Sequence, residues 1–250
     1  MTGLTAFFVH LGAATRLAGR AVVRMTTPPF QIRETLHQVD RLGVGSVNLT
    51  NITALFTGMV LALQTAYALS AFGAGLYVGE VVGMALVREL GPVLTSLMVG
   101  GRVGSGIAAE LGSMTVTEQV DAMRSMGADP VRKLVVPRIW ALVISLPLLT
   151  ILADCLGILG GMVIAVVEEG STAGFYVQHV FRIMDFNDVG SGIAKTLFFG
   201  FLIAITGCYQ GLTARGGADG VGRATTTTVY AASIGILISD FFLTKLFLSF

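Results

Sequence analysis

Charged residues stand inside otherwise apolar runs of this sequence, among them Arg88, Glu89, Asp154, Lys195, Asp240 and Lys245. Charged groups are expensive in lipid and face a protein interior, a polar chamber or one another. Two kinds of chemistry suit them. Opposite charges at similar depth on different helices can pair as interhelical glue, or they can line a polar chamber that opens outwards. Lys245 is close enough to the end of its run to snorkel and is given no role. Asp154 has no partner visible in the sequence. The three histidines, His10, His37 and His179, are scattered and lie outside the apolar runs, so no metal site or His-based acid/base site forms from them. No catalytic residue, metal or cofactor is expected.

The elements that carry these residues follow from composition. Of 250 residues, 54% are hydrophobic and only 12% charged, where a soluble domain carries about a quarter charged residues. The mean hydropathy is +0.79. The class is an all-α integral membrane protein. The formal net charge is +1 and no basic run suggests nucleic acid. Cys155 and Cys208 fall inside apolar runs and read as small core residues. Five runs reach the spanning length of about 20 residues: roughly 47–70, 81–109, 139–167, 190–213 and 226–249.

The loops orient them. Arg16, Arg20, Arg24, Arg33 and Arg41 precede the first run, Arg124, Arg132, Lys133 and Arg138 lie between the second and third, and Arg215 and Arg223 lie between the fourth and fifth. Residues 71–80 have no Lys or Arg, and 168–189 has only Arg182. The positive-inside rule places the N-terminus in the cytoplasm and the C-terminus outside. At about 1.5 Å per residue, Arg88 and Glu89 lie roughly 12 Å below the outer end of their run, Lys195 roughly 8 Å and Asp240 roughly 15 Å. All four belong to the outer half of the bilayer. An odd number of spans with no visible half-repeat speaks against an inverted-repeat secondary transporter.

Residues 1–46 form an amphipathic segment ahead of the five-run region 47–250. Leu4, Phe7, Phe8 and Leu11 recur at helical spacing beside Arg16, Arg20 and Arg24, too charged to span and suited to the membrane interface. The segment shows no signal-peptide pattern, since those arginines follow its first apolar patch and no cleavage site closes it. Thr26-Thr27-Pro28-Pro29 ends the helix. A second amphipathic stretch, with Ile32, Leu36 and Val39, follows. Packing of this pair on the protein's own cytoplasmic face is the alternative. A further short helix is expected on the outer face at about 171–184.

Glycine-rich strings invite nucleotide readings that the context rejects. Gly104-Ser105-Gly106-Ile107-Ala108-Ala109 matches G-x-G-x-x-A, but no strand precedes it. Gly190-Ser191-Gly192-Ile193-Ala194-Lys195-Thr196 has Ala194 where a P-loop requires glycine. The first string serves helix packing better: Gly100, Gly104 and Ala108, and Gly101, Ser105 and Ala109, form two small-residue ladders. The chain carries no nucleotide site, so any ATP use belongs to a partner.

Between Gly91 and Arg138 the chain leaves an apolar helix at Glu110, forms a short polar helix and re-enters the apolar regime. Thr115-Val116-Thr117-Glu118 reads as a capping box opening a helix of about three turns, with Gly127 and Pro130 as stop signals. Its expected span is about 113–127. Val116, Val120, Met123 and Met126 share one face, and Glu118, Asp121 and Arg124 take others. Such a helix suits a groove on another protein, or it packs on its own chain.

An ordered series of strings carries a family resemblance: Arg88-Glu89-Leu90-Gly91-Pro92-Val93, Gly101-Arg102-Val103-Gly104-Ser105, Ala109-Glu110-Leu111-Gly112, Thr117-Glu118-Gln119, Asp129-Pro130 and Pro137-Arg138-Ile139-Trp140-Ala141. Later pieces are Ser145-Leu146-Pro147-Leu148-Leu149, Gly222-Arg223-Ala224-Thr225-Thr226 and Asp240-Phe241. Over about residues 47–250 the chain resembles the Mla-type permease subunit of the MCE-associated phospholipid ABC transporters. The N-terminal segment is similar to that family's elbow helix in general character only.

The resemblance implies a Gram-negative inner-membrane permease, with relatives in actinobacteria and plastids. It implies a homodimer, two cytoplasmic ABC ATPase subunits that hydrolyse ATP-Mg, a periplasmic MCE-domain hexamer and a small STAS-domain protein. The substrate it implies is phospholipid, moved between inner and outer membranes to maintain outer-membrane asymmetry. The 113–127 helix, with Glu118, Asp121, Met123, Arg124 and Met126, is similar to the family's coupling helix. Glu89, Lys195 and Asp240, with Arg88 adjacent, match its charged positions near the lipid cavity. A non-transporting membrane scaffold and a membrane-embedded lipid enzyme are the alternatives.

Overall fold

A computed structural model describes residues 3–28, 30–168, 170–247 and 249. Among them the chain is helical, with no strand. The helices are α1 (Gly3–Thr26), α2 (Ile32–Ser70), α3 (Gly75–Val116), α4 (Gln119–Ser125), α5 (Val131–Glu168), α6 (Ala173–Ile183), α7 (Phe186–Leu212) and α8 (Gly217–Phe247). Helices α2, α3, α5, α7 and α8 are long and apolar enough to cross a membrane. This is an all-α integral membrane protein with five such helices among the described residues.

The boundaries have local causes. Helix α1 stops at Thr26, where Thr27 and Pro28 follow. Thr172 caps α6 by accepting the Phe175 N–H at 3.3 Å. The stretch from Ile32 does not stop before the first apolar run: it continues into it as α2, through a π-helical turn at Val39–Gly43 and a 3₁₀ turn at Val44–Ser46. Three further π turns occur, at Leu86–Leu90 and Gly100–Gly104 in α3 and at Val131–Val135 in α5. Such turns shift helix register and free backbone groups, and they recur at functional positions.

The expected capping box does not form. Helix α3 runs on through Val116, and the Thr115 hydroxyl donates back to the Leu111 carbonyl at 2.8 Å, as Thr117 does to Ser113. Glu118 breaks the helix by adopting the left-handed region, φ 60°. It is itself the N-cap of α4 and makes no side-chain cap. Helix α4 is therefore seven residues long, not three turns. Its end is as expected: the Gly127 N–H bonds Arg124 O and the Ala128 N–H bonds Met123 O, both at 3.0 Å. That pair is a Schellman motif, with Gly127 at φ 77°.

The chain divides into two compact units. Unit 1 comprises Met1–Val44, Val99–Ser145 and Phe199–Leu237. Its core is built from Ile107 and Leu111 of α3, Ile139 and Leu142 of α5, Phe199 and Ile203 of α7 and Ile236 of α8. Glu110 joins α2 and α5, pairing with Arg41 and with Arg138, each at 3.0 Å. Arg24 of α1 pairs with Asp129 at 2.9 Å, and His10 bonds the Tyr209 hydroxyl at 2.8 Å.

Unit 2 comprises Gly45–Met98, Leu146–Phe198 and Ile238–Phe250. Ala62 and Ala66 of α2 pack with Val78, Val82 and Leu86 of α3, and Tyr176 and Val180 of α6 are buried against Ala165 of α5. Helices α2 and α5 approach so closely at Gly58 and Gly157 that a side-chain carbon at Gly58 would strike the Gly157 carbonyl. Helix α6 is held to α3 by His179 and Glu80, 2.8 Å apart. On α2, Ile52, Phe56, Val60, Leu63 and Tyr67 form an exposed apolar stripe at helical spacing, as expected of a surface that lipid covers.

Candidate functional site

Unit 2 gathers four of the six charges picked out from the sequence, together with one not singled out there. Lys195 of α7 is 2% exposed. Its ammonium lies 2.8 Å from Glu89 Oε2 and 3.2 Å from Asp240 Oδ1. It donates to the Thr244 hydroxyl at 2.7 Å and to the Arg88 carbonyl at 3.0 Å. Thr244 in turn donates to Glu89 Oε1 at 3.0 Å. Three helices, α3, α7 and α8, thus meet at one ammonium that has acceptors for all its protons.

The backbone explains why a lysine can sit there. Pro92 has no N–H, so α3 cannot supply the ordinary helical donor to the carbonyl four residues back, that of Arg88. Lys195 takes that place. The π turn at Leu86–Leu90 carries Arg88 and Glu89 and turns them to different partners. Glu89 meets Lys195, while Arg88 grips Asp188 through two nitrogens, Nε at 2.6 Å and Nη2 at 2.5 Å. Asp188 is buried, and its second oxygen accepts the Asp185 N–H at 3.0 Å at the start of α7. Asp188 escaped the sequence reading, although Asp185-x-x-Asp188 at the head of an apolar run is a capping signal that could have found it.

Asp154 lies apart from this cluster. Its Oδ1 has no hydrogen-bond partner among the described residues and fills the space beside Gly91, where any side-chain carbon would collide with it. The Gly91-Pro92 pair therefore has two separate tasks, room for one carboxyl and a free carbonyl for one ammonium.

Arg88, Glu89, Asp188, Lys195 and Thr244 line an open recess of about 650 Å³, completed by Asp185, Phe186 and Phe247 among others. Two cations and three carboxylates share this lining, beside two phenyl rings. Such a surface can hold a polar head group against fixed charges while apolar groups flank it. The described residues include no group of three His, Cys, Asp or Glu able to hold a metal.

In unit 1, the proposed coupling residues lie on and around α4. Glu118, Asp121, Arg124 and Met126 are exposed, Met126 by 76%, and Met123 is half-buried. Asp121 and Arg124 pair with each other at 2.6 Å. The expected common apolar face is divided: Val120 is turned inward at 2% exposure, and Val116 belongs to α3. An open crevice of about 760 Å³ runs between Glu118, Asp121 and Arg124 and the α7–α8 turn at Leu212–Gly217.

The two small-residue ladders have different surroundings. A side-chain carbon at Gly100 or Gly104 would meet Ile203 at ordinary contact distance, 3.4–3.6 Å. The tight approach comes from Gly207 of α7, where a side-chain carbon would lie 2.9 Å from the Gly104 carbonyl. Gly101 has nothing within 4 Å, and the Ser105 hydroxyl bonds back to the Gly101 carbonyl at 2.5 Å.

Comparison with known proteins decides the family. The model of the family described as Permease MlaE matches residues 35–246. The chain belongs to the MlaE permease family. A "Probable ABC transporter permease protein" of Rickettsia felis is 41% identical over 241 residues, 96% of this chain and 93% of that one. A protein of the same description from Synechocystis is 41% identical over 243 residues, 97% and 92% of the two chains. The intermembrane phospholipid transport system permease protein MlaE of Haemophilus influenzae is 38% identical over 246 residues, 96% and 92%. The MlaE match includes the whole Glu89–Lys195–Asp240 cluster and α4, and it leaves α1 outside.

Proposed function

We propose that this chain is the membrane-spanning subunit of an ATP-driven phospholipid transporter of the inner membrane of a Gram-negative bacterium. The observation that carries the reading is the buried Lys195 ammonium, held between Glu89 and Asp240 beside a recess of head-group size, in a chain 38% identical to a phospholipid transport permease. The chain works as a homodimer whose apolar walls take acyl chains. The charged cluster fixes α3, α7 and α8 in register and meets the head group.

ATP hydrolysis, with ATP-Mg, belongs to two cytoplasmic ABC ATPase subunits, and the chain itself is no enzyme. The ATPases dock on Glu118, Asp121, Met123, Arg124 and Met126. Closure of the ATPase pair displaces α4, and because α3 leads directly from the charged cluster to α4, the displacement reaches Glu89. Glu118, in its left-handed conformation, is the joint between the two helices. The N-terminus is cytoplasmic, the C-terminus periplasmic, and α6 lies on the outer face below a hexamer of MCE-domain proteins. A STAS-domain protein binds the ATPase. The transport preserves outer-membrane lipid asymmetry.

The test is native mass spectrometry of the chain purified in mild detergent after expression with its neighbouring genes. The expected particle holds two copies of the chain, two ATPases and bound phospholipid. A lone, lipid-free chain that captures no ATPase would overturn the proposal.

A further inference from the structure

Unit 1 holds a second recess, of about 280 Å³, with a different character. Arg24 and Arg132 stand at it, and its walls include Ile32, Leu36, Trp140 and Ile144. All four wall residues are exposed to the surroundings, Leu36 by 63%. They belong to the ends of α2 and α5 that carry the basic residues, where a tryptophan suits a membrane–water boundary.

The charges at this recess do not cancel. Arg24 is neutralised by Asp129, whose other carboxylate oxygen accepts the Val131 N–H at 3.0 Å. Among the described residues Arg132 meets no carboxylate: its partners are the carbonyls of Thr27 and Pro28, both approached by Nη2. Its Nε–H has no acceptor among the described residues. Among the described residues a guanidinium with five donors in a planar fork is therefore engaged through one nitrogen, and no carboxylate offsets its positive charge. A cation held at the head of an apolar groove, with a tryptophan beside it, matches an anion that carries its own hydrocarbon.

We propose that this recess binds an anionic glycerophospholipid of the adjacent leaflet, with its phosphate at Arg132 and its acyl chains along Ile32, Leu36 and Ile144. Basic pockets between helices near a membrane surface take such head groups. The recess has room for a phosphoglycerol head but not for the tails, which leave along the exposed wall. The bound lipid tightens α1 against α5 by sharing the cation that already staples Thr27 and Pro28. This site is separate from the Glu89–Lys195–Asp240 cluster and does not depend on the transport reading.

Trp140 is the sole tryptophan of the chain, so its fluorescence reports on this recess alone. The experiment reconstitutes the full chain in phosphatidylcholine vesicles that contain equal mole fractions of brominated phosphatidylglycerol or brominated phosphatidylcholine. Brominated phosphatidylglycerol should quench Trp140 about fivefold more effectively, the preference that one basic side chain confers at a membrane surface. Arg132→Gln should remove the preference. Leu36→Glu, which leaves the Arg132 staple intact, should remove it as well, while Leu36→Asn should keep it. If Arg132→Gln fails to fold, the Leu36 pair decides. Equal quenching by both lipids, quenching by neither, or a preference that survives Leu36→Glu would overturn the proposal. So would a preference abolished by millimolar inorganic phosphate, which would make the ligand free phosphate.

Discussion

The ammonium of Lys195 donates to the main-chain carbonyl of Arg88 at 3.0 Å, an acceptor that α3 leaves open because Pro92 has no N–H to offer it. One residue of α7 thus completes the backbone of α3 while its charge serves Glu89 and Asp240. The first consequences concern that junction.

Replacing Lys195 by Met removes the cation and leaves Glu89 and Asp240 facing each other around an apolar side chain. Losing one partner of a buried ionic group costs about 3–5 kcal/mol. We therefore expect Lys195→Met to lower the melting temperature in detergent clearly, and Lys195→Met with Glu89→Gln and Asp240→Asn to recover most of the loss. A triple variant no more stable than the single one would contradict the pairing.

Pro92→Ala returns an N–H to the helix and makes it compete with Lys195 for the Arg88 carbonyl. A single exchanged hydrogen bond is worth about 1 kcal/mol, so the protein should fold. The change should appear at Lys195 itself, as faster modification by an amine-reactive reagent read by peptide mass spectrometry. Unchanged labelling would mean that the proline has no part in seating the lysine.

Gly91→Ala drives a methyl group into the Asp154 carboxyl. Overpacking of this kind costs about 1–3 kcal/mol. Asp154→Ala should suppress the defect, because it removes the atom that is struck. Thermal unfolding of the two single variants and the double variant checks this, and simple additivity of the two changes would refute the contact.

Glu118 is the one described non-glycine residue with positive φ. A left-handed conformation costs an ordinary L-residue about 1–2 kcal/mol, and a β-branched one more. Glu118→Gly should keep α4 folded and leave stability equal or higher. Glu118→Val should lower it and speed hydrogen exchange across residues 117–126. Equal stability of the two variants would show that the joint is not left-handed.

Much of this was legible in the sequence, for physical reasons. Five apolar runs define five helices because a span must satisfy its backbone internally. Charges inside those runs stand out because burial makes them costly, so Arg88, Glu89, Lys195 and Asp240 were visible as a set. Their partners were less so. Asp188 lay in a polar segment where a carboxylate is unremarkable, and Thr244 carries no charge. The role of Pro92 appears only when α7 is seen to supply its missing donor. The end of α3 is hidden in the sequence because threonine hydroxyls near a helix terminus can cap forwards or bond backwards, and Thr115 and Thr117 do the latter. The start of α2 is hidden as well, because an amphipathic stretch and an apolar run form one helix when only π and 3₁₀ turns separate them.

The central claim is that the Lys195 cluster belongs to a lipid-moving machine, and transport measures it most directly. The chain, assembled with its ATPase and reconstituted in vesicles, should move a fluorescent phospholipid in an ATP-dependent manner. Lys195→Met should reduce that rate at least about tenfold, equivalent to roughly 1.4 kcal/mol, while the complex still assembles and hydrolyses ATP. A Lys195→Met complex that moves lipid at the wild-type rate would contradict the account.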